Sequence, residues 1–92
     1  MKRIERRLFR MNDDIAALVR AEELAAEELN YHRHLNDDTQ RDAIVSGSPI
    51  DRSDARETAG DVARFERHLE NLRSRRSKLE RKRAQLLAKL TD

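Results

Sequence analysis

The chain has no cysteine and only three aromatic residues, Phe9, Tyr31 and Phe65, among 92 positions. Lack of cysteine excludes disulfide scaffolds, thiolate zinc sites and cysteine nucleophiles. No apolar run approaches the roughly 18 residues of a membrane span, and the basic N-terminal segment lacks the apolar stretch of a secretory signal. We therefore expect no membrane association and a cytoplasmic location.

Proline and glycine are also scarce, with one and two residues respectively. Two isolated glycines cannot form a phosphate-binding loop, and no serine has a histidine at a helical interval that would face it. His32 and His34 are two residues apart, whereas histidine pairs that bind zinc on a helix are four apart. The sequence thus predicts no enzyme activity, no cofactor, no metal site and no small-molecule substrate.

Charged residues make up 41% of the chain, and alanine, glutamate, leucine and arginine dominate it. This composition is typical of long helices and coiled coils. Mostly apolar residues recur at alternating steps of four and three, the spacing that places them on one face of a helix. We call this row of each helix its seam, the row expected to pack against the other helix. We predict an all-α fold with helix 1 over about 3–35, a loop over about 36–48 and helix 2 over about 49–90. The seams are Ile4, Leu8, Met11, Ile15, Leu18, Glu22, Ala25, Leu29 and His32 in helix 1, and Val62, Phe65, Leu69, Leu72, Arg76, Leu79, Arg83, Leu86 and Leu90 in helix 2.

Three segments bear on the helix boundaries. Residues 12–14 (Asn-Asp-Asp) could cap a separate helix, but the unbroken stripe favours one continuous helix. Residues 36–38 have the same composition, and their poor helix propensity predicts the end of helix 1. Ser48 precedes the only proline and is a good N-cap, with Asp51 in the first turn of helix 2. Asp51 or Ser53 could cap this helix instead.

We predict that residues 1–92 form a single antiparallel, coiled-coil-like helical hairpin. A fold at residues 43–44 makes the numbers of facing residues add up to about 87. The pairs are then Leu8 with Leu79, Ile15 with Leu72, Leu18 with Leu69, and Glu22 with Phe65.

A lone hairpin would leave outer apolar residues such as Val19, Leu24, Leu35 and Leu87 exposed. The sequence therefore favours a homodimer that forms a four-helix bundle over a monomer. The residues assigned to self-association are Leu8, Ile15, Leu18, Phe65, Leu69, Leu72, Leu79 and Leu86.

Two arginines, Arg76 and Arg83, occupy seam positions that call for apolar residues. A buried guanidinium without a partner is strongly unfavourable, so both should form ion pairs. The predicted register favours Glu5–Arg83 and Asp13–Arg76, within one chain or between chains.

Charge is unevenly distributed along the chain: residues 1–10 carry a net +4, residues 11–66 a net −8 and residues 67–91 a net +7. An antiparallel hairpin brings the two basic segments together at one end, which would attract an acidic partner. We predict a non-enzymatic protein–protein interaction module, such as an accessory, inhibitor or assembly factor. The predicted partner-binding residues are Arg6, Arg7, Arg75, Lys78 and Lys82.

Nucleic acid is the alternative ligand for this basic end, because phosphates would be attracted there. Base-stacking aromatic residues are not interleaved with the arginines, which argues against it. The function would then be that of a transcription regulator that binds nucleic acid or RNA polymerase.

The predicted loop contains an apolar triplet, residues 43–45 (Ala-Ile-Val). We expect it to fold back and cover the end of the hairpin; exposure as a partner contact is the alternative. Residues 49–54 (Pro-Ile-Asp-Arg-Ser-Asp) are similar to the acidic coiled-coil tip of DksA-type transcription factors, which enters the secondary channel of RNA polymerase. Asp51 would be the matching acid, although the zinc-binding cysteines of that family are absent.

Overall fold

The computed structural model describes residues 2–91, which contain two α-helices and no strand. Helix α1 runs over Arg3–Ser46 and helix α2 over Pro49–Thr91, and the two pack as a helical hairpin. The predicted all-α hairpin is therefore confirmed. Contacts group the chain into two compact units, which are described separately below. The terminal unit comprises Met1–Glu23 with Glu70–Asp92, and the turn unit comprises Leu24–Leu69.

The long loop predicted over 36–48 was wrong, because α1 continues to Ser46 and only two residues connect the helices. The seam spacing explains why. Its steps of four and three continue beyond His32 through Asn36, Thr39 and Ala43, all of which are half-buried. Segment 36–38 has poor helix propensity, but tertiary contacts of the polar seam outweigh that preference. The continuous helix through residues 12–14 was correctly predicted.

A layer of polar side chains lies in this part of the seam, inside the turn unit. The hydroxyls of Thr39 and Thr58 are 2.7 Å apart. Asn36 Oδ1 accepts hydrogen bonds from Thr58 Oγ1 and from Gln40 Nε2, each at 3.1 Å. The Gln40 amide also donates to the carbonyl of Ala55 at 3.2 Å. Because the half-buried side chains of Asn36, Thr39 and Thr58 are satisfied within the layer, it can replace apolar packing between the helices.

Capping hydrogen bonds at the end of α1 and at the start of α2 fix the two-residue connection. Gly47 adopts φ +63° and donates its N–H to the carbonyl of Ala43 at 2.9 Å, an αL cap. Ser48 Oγ accepts from the N–H of Asp51 at 3.1 Å, the N-cap predicted from the sequence. The Ser46 hydroxyl accepts from the N–H of Ser48 at 3.1 Å and donates to the Asp51 carboxylate. The end of one helix and the start of the next are thus fixed by the same few groups.

Each unit has its own apolar core between α1 and α2. The buried residues are Ile15, Leu18, Leu72 and Leu86 in the terminal unit, and Ala25, Leu29, Ala55 and Leu69 in the turn unit. Burial of each large aliphatic side chain contributes about 1.5–3 kcal/mol. Of the residues assigned to self-association, these cores bury Ile15, Leu18, Leu69, Leu72 and Leu86, while Leu8, Phe65 and Leu79 are half-buried. Their self-association stays a prediction.

The predicted pairing register was wrong. Asn12 lies opposite Arg83, Glu22 opposite Arg76, and Thr39 opposite Thr58. The numbers of these facing residues add up to 95–98 rather than about 87. A shift of about 8–11 residues, two to three helical turns, leaves apolar seam positions opposite apolar seam positions, so the apolar pattern alone could not distinguish the two registers.

Candidate partner-binding groove

A groove runs between α1 and α2 in the terminal unit, and we call it the basic groove. One wall is basic, the floor is formed by two alanines and by leucines of the seam, and a single acid lies on the other side. The lining residues are Arg75, Lys78 and Lys82 on the wall, Ala17, Ala21, Leu18, Leu72 and Leu79 on the floor, and Asp14 opposite.

The three cations share one side of α2 because they are separated by steps of three and four residues. All three are exposed, and none forms an ion pair or a side-chain hydrogen bond within the described part of the chain. Three of the five predicted partner-binding residues therefore line one surface. Arg7 lies two turns before Asp14 on the same face of α1, whereas Arg6 points elsewhere by helical periodicity. Neither arginine lines the groove.

Arg76 differs from its neighbour Arg75, because carboxylates hold its guanidinium on both sides. Its Nη2 donates to Glu22 Oε1 at 3.0 Å, its Nε donates to Glu22 Oε2, and its Nη1 donates to Glu80 Oε1 at 2.9 Å. Hydrogen bonds to Glu22 and then to Glu80 raise the pKa of Arg76 above its ordinary value. The predicted ion pairing of Arg76 is correct, but its cross-helix partner is Glu22, not Asp13, which is a consequence of the shifted register.

Arg83 donates from Nη1 to Asn12 Oδ1 at 3.0 Å. The pair predicted between Glu5 and Arg83 is not formed within the chain over the described residues. Both side chains instead line a second recess of the terminal unit, with Phe9 and Leu87. The Phe9 side chain is 58% exposed, so an apolar surface lies beside this arginine.

The turn unit has a surface of opposite character, which we call the acidic ridge. It consists of Leu24, Glu27, Glu28 and Tyr31, neighbours at steps of three and four on α1. Leu24 is 57% exposed and Tyr31 60% exposed. Neither glutamate belongs to an ion pair of the described residues.

The two units differ in the sign of their net charge. The terminal unit contains fourteen lysines and arginines against eight acids, for a net +6. The turn unit contains six arginines against ten acids, for a net −4. Three arginines of the turn unit are already paired: Arg41 with Asp38, Arg64 with Asp61, and Arg33 with Glu66 at 3.9 Å. The ridge therefore keeps its negative charge.

Within residues 2–91, no group of three or more His, Cys, Asp or Glu side chains is arranged to hold a metal ion. His32 stacks on Phe65 with ring centroids 4.4 Å apart, and its Nδ1 is buried without a hydrogen-bond partner. His32 is therefore a packing residue of the seam. Neither described helix has an apolar stretch long enough to span a membrane.

The apolar triplet at the turn does not cover the end of the hairpin, so the expected plug was wrong. Ile44 is 82% exposed and Val45 86% exposed, and Ile50 after the turn is 74% exposed. The helix continues to Ser46, so the chain has no slack with which to fold these side chains back. They form an aliphatic tip beside Asp42 and Asp51.

Comparisons with protein-family models, curated proteins and solved structures gave no significant match. The geometry of the chain is therefore the basis for any assignment of function. Sequence reasoning selected the cations of the groove, but it did not identify the ridge as a site. The signal was present, because Leu24 and Tyr31 belong to an apolar row flanking the seam and two glutamates lie between them.

Proposed function

We propose that this chain is a non-enzymatic helical-hairpin interaction module, whose basic groove binds an acidic amphipathic helix of a partner protein. The observation that carries the proposal is the row of three exposed cations, Arg75, Lys78 and Lys82, along one wall of an apolar groove. The chain's described acids do not neutralise them, unlike Arg76, which two carboxylates hold. Binding of an acidic partner would therefore not have to break an existing ion pair.

The floor of the groove supports a helix as the bound element. Ala17 and Ala21 are four residues apart and present only methyl groups, so a partner backbone can approach closely between larger side chains. Half-buried Leu79 adds apolar surface beneath it, and the buried core residues Leu18 and Leu72 close the bottom of the groove. A helix with apolar residues on one face and glutamates along one edge would bury its apolar face on this floor. Its edge would then lie against the basic wall.

The test uses a synthetic amphipathic helix of about 21 residues, with an alanine and leucine face and one glutamate edge. Fluorescence anisotropy should report binding to the wild type. Binding should be lost in the groove variant, in which Arg75→Glu, Lys78→Glu and Lys82→Glu are combined. Three exposed pairs at about 0.2–1 kcal/mol each, converted from attraction to repulsion, predict a loss of about tenfold or more.

The matched control reverses three exposed arginines away from the groove, with the same change in net charge: Arg20→Glu, Arg56→Glu and Arg73→Glu. Circular dichroism should show equal helicity for both variants. If the control loses affinity as strongly as the groove variant, the attraction is a general effect of net charge and the groove assignment is wrong. A peptide with lysines in place of the glutamates should not bind the wild type.

A second candidate function is that of a transcription regulator. The aliphatic tip would then insert into RNA polymerase, or the basic groove would bind nucleic acid. Ile44, Val45 and Ile50 are the most exposed apolar side chains among the described large hydrophobic residues. Substitution of Ile44→Ser with Val45→Ser should leave binding of the acidic peptide intact under the main proposal. For a nucleic-acid ligand, affinity for an oligonucleotide should exceed that for the peptide and fall steeply with salt.

A further inference from the structure

The acidic ridge of the turn unit has the features that the basic groove would bind. Leu24 and Tyr31 provide exposed apolar surface, and Glu27 and Glu28 lie between them. From this complementarity we infer that the basic groove binds the acidic ridge of a second copy of the chain. The inference rests on the proposed function of the groove and names the partner.

Charge complementarity is the first argument. The ridge belongs to a unit of net −4 and the groove to a unit of net +6, so unlike units attract between copies while like units repel. Within the described residues, no ion pair involves Glu27 or Glu28 of the ridge, or Lys78 or Lys82 of the groove. Contact between the two surfaces would bring these four charges together without rearranging an existing ion pair.

Apolar surface is the second argument. Leu24 and Tyr31 are exposed by more than half and together place apolar surface on one face of α1, where a partner could bury it. The alanine floor of the groove leaves room for large side chains from a facing helix. Large side chains of one helix pack into the grooves of a facing helix, and small residues there let the two helices approach closely. The ridge and the floor therefore match in size as well as in charge.

Symmetry is the third argument. Each copy has one groove and one ridge, so a two-fold dimer makes the same contact twice. This doubling matters because a two-helix chain of this length has little core of its own. The expected product is a four-helix dimer in which α1 of each copy lies against the groove between α1 and α2 of the other, held by the charges and by the exposed apolar row.

The test uses sedimentation velocity and light scattering of the full chain at micromolar concentrations. Wild type should be a dimer. The groove variant should dimerise at least about tenfold more weakly, and so should the ridge variant, Glu27→Lys with Glu28→Lys. An equimolar mixture of the two variants should restore association, because each mixed contact again joins opposite charges.

A control separates this pairing from attraction by net charge. Asp37→Lys with Glu70→Lys adds the same positive charge on faces outside the ridge and outside the groove. It should dimerise as the wild type does, and its mixture with the groove variant should form fewer mixed dimers than the ridge variant forms. Equal recovery with both partners would overturn the pairing.

The apolar part of the contact has its own variant, Leu24→Ala with Tyr31→Ala. It should weaken dimerisation while helicity at high protein concentration stays that of the wild type. A monomeric wild type, or a dimer that neither charge reversal affects, would overturn the inference. If the wild type is monomeric but its groove still binds the acidic peptide, the proposed function stands and only the identity of the partner is wrong.

Discussion

Substitution by alanine should have opposite effects on the stability of the fold at the two glycines. Gly60 lies inside α2, and a methyl group added there would meet only Arg64 Nη1, at 4.0 Å, an ordinary contact. Alanine is favoured over glycine in a helix interior by about 1 kcal/mol, so Gly60→Ala should stabilise the fold by that amount. Gly47 has open space around it but adopts φ +63°. Because L-residues are strained in this conformation by about 1–2 kcal/mol, Gly47→Ala should destabilise the fold.

Urea unfolding followed by circular dichroism, at one fixed protein concentration, measures both changes. In a thermal unfolding experiment on a chain of this size, a change of about 1 kcal/mol in the free energy of unfolding would shift the melting temperature by about 4–8 °C. Gly60→Ala should raise the urea midpoint and Gly47→Ala should lower it, with the urea dependence of the free energy unchanged. A loss of stability in Gly60→Ala would refute the reasoning. It would mean that another helix approaches Gly60 closely in solution, as a neighbouring chain could.

Three further substitutions test the turn, the seam and the core. Ser48→Ala removes the hydroxyl that accepts from the N–H of Asp51, and urea unfolding should show a loss of about 1 kcal/mol. His32→Phe keeps a ring stacked on Phe65 and removes a buried nitrogen without a partner, so the free energy of unfolding should rise by about 1 kcal/mol or more. Leu72→Ala deletes a core side chain and should cost about 2–5 kcal/mol in the same assay, whereas a cost below 1 kcal/mol would mean that the site is not tightly packed.

The fold class followed directly from the sequence, because the seam spacing and the cap at Ser48 are local signals. The length of α1 did not follow, although its spacing was present in the sequence. Asn36 and Thr39 occupy seam positions, but their side chains were interpreted as helix-breaking and loop-forming. Only their hydrogen bonds with Thr58 and Gln40 make these residues suitable for a helix interface. A polar seam is difficult to recognise from one sequence because its partners lie on a distant part of the chain.

The register shows a related difficulty with side chains that carry charge. The sequence correctly indicated that Arg76 needs an acidic partner, yet the partner, Glu22, lies nine residues beyond the predicted Asp13. Glu22 satisfies the guanidinium with two hydrogen bonds, and Glu80 adds a third from the next turn of α2. Such geometry depends on the register itself. The groove cations were predicted from the charge of the converging basic segments, and their shared side of α2 follows from helical periodicity, which does not depend on the register.

The capped two-residue turn also determines how the chain can begin to fold. Near the turn, Gln40 contacts Ala55 across only fifteen residues, whereas Glu22 and Arg76 are separated by fifty-four and Asn12 and Arg83 by seventy-one. Loop closure becomes more costly as the separation grows, so contacts near the turn should form first. Each new contact then shortens the effective loop for the next one. The hairpin should therefore close progressively from the turn, and damage to the caps should slow folding more than damage near the chain ends.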